Sequence, residues 1–81
     1  MKLTPIQANM TELELMNGYI LFSYKTPVAS TMKSTGEYFK TSKFWSKTTS
    51  RHMNKWFKEF GEIKIQEKPQ EYFDDLLNEV K

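Results

Sequence analysis

Residues 10–24 read MTELELMNGYILFSY, and this stretch decides the fold. In its first half glutamate and leucine alternate, the period of two that is typical of a strand with one buried face. The dipeptide Asn17-Gly18 follows, which readily adopts the positive φ angles of a type I′ hairpin turn. Residues 19–24 are then rich in the aromatic and branched side chains that favour strands. The stretch therefore predicts a β-hairpin with strands at 10–15 and 19–24.

Two further strands are predicted beyond the hairpin. Aromatic residues indicate a strand near 37–41, and alternating isoleucines indicate another near 62–66. Residues 28–32 are a candidate continuation of the sheet. Pro27 lacks the amide hydrogen that a sheet ladder needs, so we expect it to end the second hairpin strand or to place its segment on an edge. Together these elements predict a small, mostly antiparallel sheet.

Two helices complete the predicted fold, which is of the α+β class. Apolar residues recur at helical spacing near 48–60 and again near 70–80. The hydroxyl residues of 46–49 are candidate N-caps for the first helix, and Gly61 suits the left-handed backbone that follows a helix end. The predicted apolar faces are Met53, Trp56, Phe57 and Phe60 in the first helix and Tyr72, Phe73, Leu76, Leu77 and Val80 in the second.

The length of 81 residues corresponds to a single domain, 1–81. A chain this short buries only about 60% of the surface of its unfolded state, so large side chains matter, and 15% of the residues are aromatic. Cysteine is absent, which excludes disulfides and thiolate metal sites. No apolar run approaches the roughly 20 residues of a transmembrane helix. We therefore expect a soluble domain without a membrane partner.

The net charge of +2 is unevenly distributed. Residues 25–58 carry eight Lys or Arg against one acidic residue, whereas residues 59–81 carry seven acidic residues against three lysines. Such an asymmetry steers the approach of charged partners. The acidic final helix either packs on the sheet and neutralises part of the positive charge of the basic helix, or it docks a basic partner. The sequence leaves both roles open.

Catalytic and metal chemistry has little support in the sequence. His52 is the only histidine, so a zinc site with two histidines cannot form. Ser50 and His52 lie two positions apart on the predicted helix and point in different directions. The acidic residues of 71–75 fit the solvated face of a helix. We expect no enzyme, no cofactor and no metal site, with His52 at the boundary or surface beside Arg51.

The segment 43–58 is the most suggestive part of the chain. It brings hydroxyl groups, backbone amides and cations to a helix start, where the helix dipole favours an anion. Phe44 and Trp45 either stack on bases there or fill the core. In the second case the hydroxyl groups only cap the helix, and the lysines only keep the domain soluble. The predicted binding residues are Lys43, Phe44, Trp45, Lys47, Thr48, Thr49, Arg51, Lys55 and Lys58.

Two strings of sequence are distinctive. The first is SYKTPVA at residues 23–29, and the second is FWSKTTSRHMNKW at residues 44–56. With these strings the chain resembles, over residues 4–60, a set of short bacteriophage-encoded proteins to which no activity, catalytic residue or cofactor is assigned. The resemblance implies an accessory protein that acts in the cytoplasm of an infected bacterial host.

Small phage proteins commonly bind host machinery, including defence components, and redirect or inhibit it. By analogy we expect a non-enzymatic protein that binds and modulates a host macromolecule, with a host protein as the first expectation. The alternatives are a nucleic-acid-binding module on the same basic 43–58 residues and the capture of a small phosphorylated ligand. The oligomeric state stays open.

Overall fold

The computed structural model describes residues 2–61 and 63–80, with the side chains of 3–61 and 63–76. Strands and helices follow one another as β1 (Lys2–Gln7), β2 (Met10–Leu15), β3 (Gly18–Ser23), β4 (Thr26–Met32), β5 (Glu37–Thr41), α1 (Lys47–Lys58), β6 (Ile65–Lys68) and α2 (Gln70–Val80). The predicted α+β class is confirmed.

The strands form one six-stranded sheet in chain order, from β1 to β6. Each neighbouring pair from β1 to β5 is antiparallel, as short turns between strands require. β6 pairs parallel to β5, because α1 crosses between them. The mostly antiparallel sheet is confirmed. β1 is the element that local pattern does not indicate, and it carries Pro5 at the edge of the sheet, where strands tolerate proline.

The hairpin of β2 and β3 is confirmed, but its turn lies one residue earlier than predicted. Leu15 pairs with Gly18, so the loop residues are Met16 and Asn17, and neither has a positive φ angle. Gly18 belongs to β3, where a Cβ atom would lie 2.0 Å from the carbonyl oxygen of Thr31. The close approach of β4, rather than the turn, therefore requires glycine at this position.

Pro27 lies inside β4 rather than at the end of a strand or on an edge of the sheet. It pairs with Phe22 beside a register shift in the ladder between β3 and β4. The ladder between β4 and β5 begins only at Ala29, so β5 needs no hydrogen bond from the proline nitrogen. Bulges and ladder ends are positions at which a strand accepts proline.

The two helices pack on opposite faces of the sheet. Successive strand residues point to opposite faces, and on β5 Tyr38 contacts Phe57 of α1 while Phe39 contacts Tyr72 of α2. On the α2 side, Phe73 is fully buried. The core on the α1 side comprises Met10, Leu21, Val28, Ala29, Met53, Trp56 and Phe57.

Because both faces are covered, the glutamates of β2 do not simply face water. Glu12 accepts a hydrogen bond from the indole Nε1–H of Trp56 at 2.8 Å. A buried indole N–H requires such an acceptor, so the carboxylate of Glu12 satisfies the hydrogen-bond donor of the largest side chain in the core. Glu14, in contrast, forms an exposed ion pair with Lys33 at 3.1 Å.

The boundaries of α1 follow the predicted capping pattern. Ser46 is the N-cap, and its Oγ accepts a hydrogen bond from the amide of Thr49 at 3.1 Å. The helix spans Lys47–Lys58 rather than 48–60. Gly61 has a φ angle of +84°, the left-handed conformation predicted for it.

The last strand begins later than predicted. β6 starts at Ile65 rather than near residue 62, and Glu62 itself lies outside the described residues. Ile63 and Ile65 nevertheless pack against the core as expected. α2 has the predicted bounds, although the side chains of residues 77–80, which include two of its predicted apolar positions, lie outside the described part.

Candidate binding surface

Eight of the nine predicted binding residues lie on the surface. We call them the α1 basic surface: Lys43, Phe44, Trp45, Lys47, Thr48, Arg51, Lys55 and Lys58. The segment 43–58 contains five Lys or Arg and no acidic residue. Thr49 is buried instead, because its hydroxyl is used in hydrogen bonds inside the domain, and it does not belong to this surface.

A stripe of cations runs along the outer side of α1. Lys47, Arg51 and Lys55 are four residues apart, so their side chains lie above one another on the helix. Trp56 and Phe57 on the opposite side are buried in the core. The helix therefore presents a positive face whose attraction for an anionic partner weakens as salt is added.

Phe44 and Trp45 do not fill the core. Phe44 is 72% exposed and Trp45 is 41% exposed. The ammonium group of Lys43 lies 4.1 Å from the centre of the Trp45 ring, a cation–π contact. The alternative in which both aromatic residues serve only as core packing is thus excluded, and two aromatic side chains stand on the surface directly before the N-cap of α1.

Gln70, the first residue of α2, fixes the position of Trp45. Its Oε1 accepts hydrogen bonds from the indole Nε1–H of Trp45 at 3.0 Å and from the hydroxyl of Thr41 at 2.8 Å. Its Nε2 donates to the carbonyl of Pro27 at 2.8 Å and to Asp74 at 3.2 Å. Sequence reasoning missed Gln70, because its partners at Pro27 and Trp45 lie 43 and 25 residues away along the chain.

A buried polar network joins α1 to β3. The hydroxyl of Ser23 lies 2.8 Å from Nδ1 of His52 and 2.9 Å from the hydroxyl of Thr49. The Thr49 hydroxyl also accepts a hydrogen bond from Ser46 at 3.2 Å. His52 is therefore buried, which corrects the expectation that it lies at the boundary or surface. The reason is that Ser23, on a strand 29 residues away, supplies the partner that a buried imidazole needs.

The electrostatics of His52 follow from its position. Burial lowers the pKa of the imidazole below its usual value of 6.5, and the positive charge of Lys55 lowers this pKa further. The imidazole is thus neutral at neutral pH, with one nitrogen as donor and one as acceptor. Ser23 is only 2% exposed, so its hydrogen bond with His52 joins β3 to α1 inside the domain.

Tyr24 is a surface aromatic residue that sequence reasoning assigned only to a strand. It lies in the turn between β3 and β4 with a φ angle of +59°, which is rare for a bulky side chain. The side chain is 51% exposed, and its ring centroid lies 6.0 Å from that of His52. The residue therefore stands beside α1, on the same side of the sheet as the α1 basic surface.

The structure also contains a cavity of about 290 Å³ at the other end of the sheet. The hydroxyl of Ser30, which lines it, is buried without a hydrogen-bond partner in the described part of the chain. Among the described residues no cluster of three or more His, Asp or Glu side chains is placed to hold a metal ion. In the same part of the chain, no helix has the length and apolar character needed to cross a membrane.

The fold and the exposed side chains together define a small α+β domain with one basic, aromatic-bearing surface. A family model described as "Family of unknown function (DUF8033)" matches residues 1–75. The chain belongs to this family. Neither a curated protein nor a solved structure matches it.

Proposed function

We propose that the protein is a non-enzymatic accessory protein that binds and modulates a host macromolecule through the α1 basic surface. The observation that carries this proposal is the exposure of Phe44 and Trp45 between the cations of Lys43 and Lys47. A large aromatic side chain that is mostly in water beside lysines, as Phe44 is, contributes little to folding. Such side chains are typical of a surface that is covered when a partner binds.

The absence of acidic residues from the segment 43–58 supports an acidic partner. Five cations without an internal counter-charge repel one another and attract an anionic surface at long range. The first turn of α1 adds little to the case for a small phosphorylated ligand, since the hydroxyl of Ser46 already occupies the amide of Thr49. A macromolecular partner that covers the whole stripe is therefore the better match.

The resemblance to bacteriophage-encoded proteins supports a role in the cytoplasm of an infected bacterium. The partner there is part of the host machinery or of its defence. The buried position of Ser23 and His52 supports a binding role over a catalytic one, since the one buried nucleophile–base pair among the described residues is closed to substrates.

Affinity capture from a bacterial host lysate tests the proposal. The wild-type chain is compared with a charge-reversed variant, Lys47→Glu/Arg51→Glu/Lys55→Glu, and with the control Lys64→Glu, an exposed lysine outside the α1 basic surface. We expect a specific partner to be retained by the wild type and by the control, and to be lost by the triple variant.

Retention of the same partner by the triple variant, at the same level, would show that binding uses another surface. Circular dichroism spectra and melting curves establish that the triple variant is folded. Exposed substitutions on a helix face usually change the unfolding free energy by no more than about 0.5 kcal/mol each.

A further inference from the structure

We infer that the partner of the α1 basic surface is a single-stranded nucleic acid, with Tyr24, Phe44 and Trp45 as stacking platforms for its bases. This inference rests on the proposed function and names the chemical class of the partner. Tyr24 is added to the site by the structure, and Gln70 is added as the residue that positions Trp45.

The exposed aromatic residues lie near the first half of α1 and close in sequence to lysines. In the described part of the chain three large aromatic side chains are exposed, and each has a lysine beside it or two residues away: Tyr24 with Lys25, Phe44 with Lys43, and Trp45 with Lys43 and Lys47. All three flank the first half of α1. Trp45 precedes the N-cap, and Tyr24 contacts His52, which lies about 9 Å further along the helix axis.

Aromatic rings among cations are the combination by which proteins hold single strands. Bases stack on the rings and the cations follow the phosphate backbone. A duplex hides its base faces and offers such rings nothing to stack on. Asn54 is the one amide side chain on α1, which gives little basis for reading base edges in a major groove.

The identity of the cations argues against a protein partner. Four of the five basic residues of the surface are lysines, and only Arg51 is an arginine. Protein–protein interfaces are depleted in lysine and enriched in arginine, because the strongly hydrated ammonium group is costly to bury. Contacts with phosphates in a wet groove do not carry this cost.

Trp45 is already held in place for stacking. The hydrogen bond from its Nε1–H to Gln70 and the contact with the Lys43 ammonium fix the ring, which still keeps 41% of its surface exposed. A side chain that is ordered before binding loses less rotamer entropy when a ligand arrives. Gln70 is in turn fixed by Pro27 and Thr41, so the ring is supported by the fold and not by a mobile loop.

The backbone conformation of Tyr24 also supports a role for its ring in binding. Glycine or asparagine would occupy its left-handed conformation with less strain than a tyrosine does. An aromatic residue at a strained turn position, with half of its side chain in water, is poorly explained by stability. It is well explained if the ring is used at the surface.

Fluorescence anisotropy with the full chain tests the inference. The probes are labelled oligo(dT) and oligo(U) of about 15 nucleotides, a matched duplex, and heparin as a polyanion without bases. We expect both single strands to bind more tightly than the duplex. Their affinity should fall roughly 20- to 100-fold between about 50 and 200 mM salt, because three to five phosphates are neutralised.

Substitution of the rings separates stacking from charge. Phe44→Ala and Tyr24→Asn are each expected to weaken single-strand binding by about 5- to 100-fold while heparin binding is unchanged. Met16→Ala, which removes the most exposed apolar side chain outside the site among the described residues, is the control and should change neither. Gln70→Ala should weaken single-strand binding and shift the indole N–H resonance of Trp45 but not that of Trp56.

The outcomes distinguish the two proposals. If heparin binds but single strands bind no better than the duplex, or if Phe44→Ala and Tyr24→Asn leave oligonucleotide affinity unchanged, this inference is wrong. The proposed function then stands, with a host protein as the partner to seek. If neither heparin nor any oligonucleotide binds at low salt, the α1 basic surface is not a polyanion site, and both proposals lose their support.

Discussion

Ser23 and Ser30 allow a matched test of what the buried polar network contributes to stability. Both serines lie on neighbouring interior strands, and their side chains are 2% and 1% exposed. The hydroxyl of Ser23 is hydrogen-bonded to His52 and to Thr49, whereas that of Ser30 has no partner in the described part of the chain. The same substitution, serine to alanine, should therefore have opposite effects at the two sites.

The magnitudes follow from what each substitution leaves behind. Ser23→Ala leaves Nδ1 of His52 buried without this partner, which costs about 1–3 kcal/mol. Thr49 keeps its hydrogen bond with Ser46, so its share of the loss is smaller. We expect a total of about 2–3 kcal/mol, out of the 5–15 kcal/mol that is typical of small domains. At about 4–8 °C per kcal/mol in a domain of this size, the melting temperature should fall by roughly 8–24 °C.

Ser30→Ala removes a hydroxyl that gives up water without gaining a hydrogen bond. The free energy of unfolding should therefore stay unchanged or rise by about 1 kcal/mol. Urea denaturation followed by circular dichroism measures both effects, as changes of the midpoint at a constant slope. Ser34→Ala, at an exposed turn position, is the control and should lie within about 0.5 kcal/mol of the wild type. A loss below about 0.5 kcal/mol for Ser23→Ala, or equal losses at both sites, would refute the reasoning.

Three further predictions concern pH, packing and the position of Trp45. Because burial lowers the pKa of His52 in the folded state, the unfolded chain takes up a proton more readily. The stability that comes from the neutral imidazole is therefore fully present above about pH 6.5 and is lost as the pH falls below that value. The loss is at most about 1.4 kcal/mol per pH unit. Urea titrations in steps of pH measure this slope, which should be absent in His52→Phe. Gly18→Ala places a methyl group against a β4 carbonyl and should lower the free energy of unfolding by more than about 2 kcal/mol. Gly36→Ala has open space around its left-handed backbone and should lower it by about 1 kcal/mol. Thermal melting measures both losses. Gln70→Ala should raise the rate of hydrogen exchange at the indole N–H of Trp45, as NMR measures, because that proton loses its acceptor.

The sequence predicts those parts of the fold in which local pattern and tertiary packing agree. The hairpin, α1 with its N-cap and the start of α2 are of this kind, because periodicity and capping residues lie within a few positions of one another. β1 and the parallel pairing of β6 are set by contacts with distant strands instead. Gly18 shows the difference at one residue: the pattern indicates a turn, and the neighbouring strand is the actual reason for glycine.

The sequence also predicts the candidate surface in outline, because the pattern of its cations is local to one helix. The cations of α1 follow helical spacing, so their common face is visible in the sequence. The hydrogen-bond partner of Trp45 is Gln70, which lies in a different helix, and no local pattern carries that information. Tyr24 lies near α1 only because the turn between β3 and β4 folds back beside His52.

The residues around the start of α1 divide into a buried polar network and exposed aromatic side chains. Ser23, Thr49 and His52 are buried and bind one another, so they fix the helix to the sheet. Phe44 and Trp45 stand outside this network, and the interior does not depend on the exposed ring of Phe44. Stability and the proposed binding should therefore be separable at Phe44: Ser23→Ala should destabilise the domain while the ring of Phe44 stays in place, and Phe44→Ala should remove the ring while the free energy of unfolding stays nearly unchanged. Because Phe44 precedes the N-cap of α1 and its side chain lies outside the core, its ring can be replaced without loss of the fold.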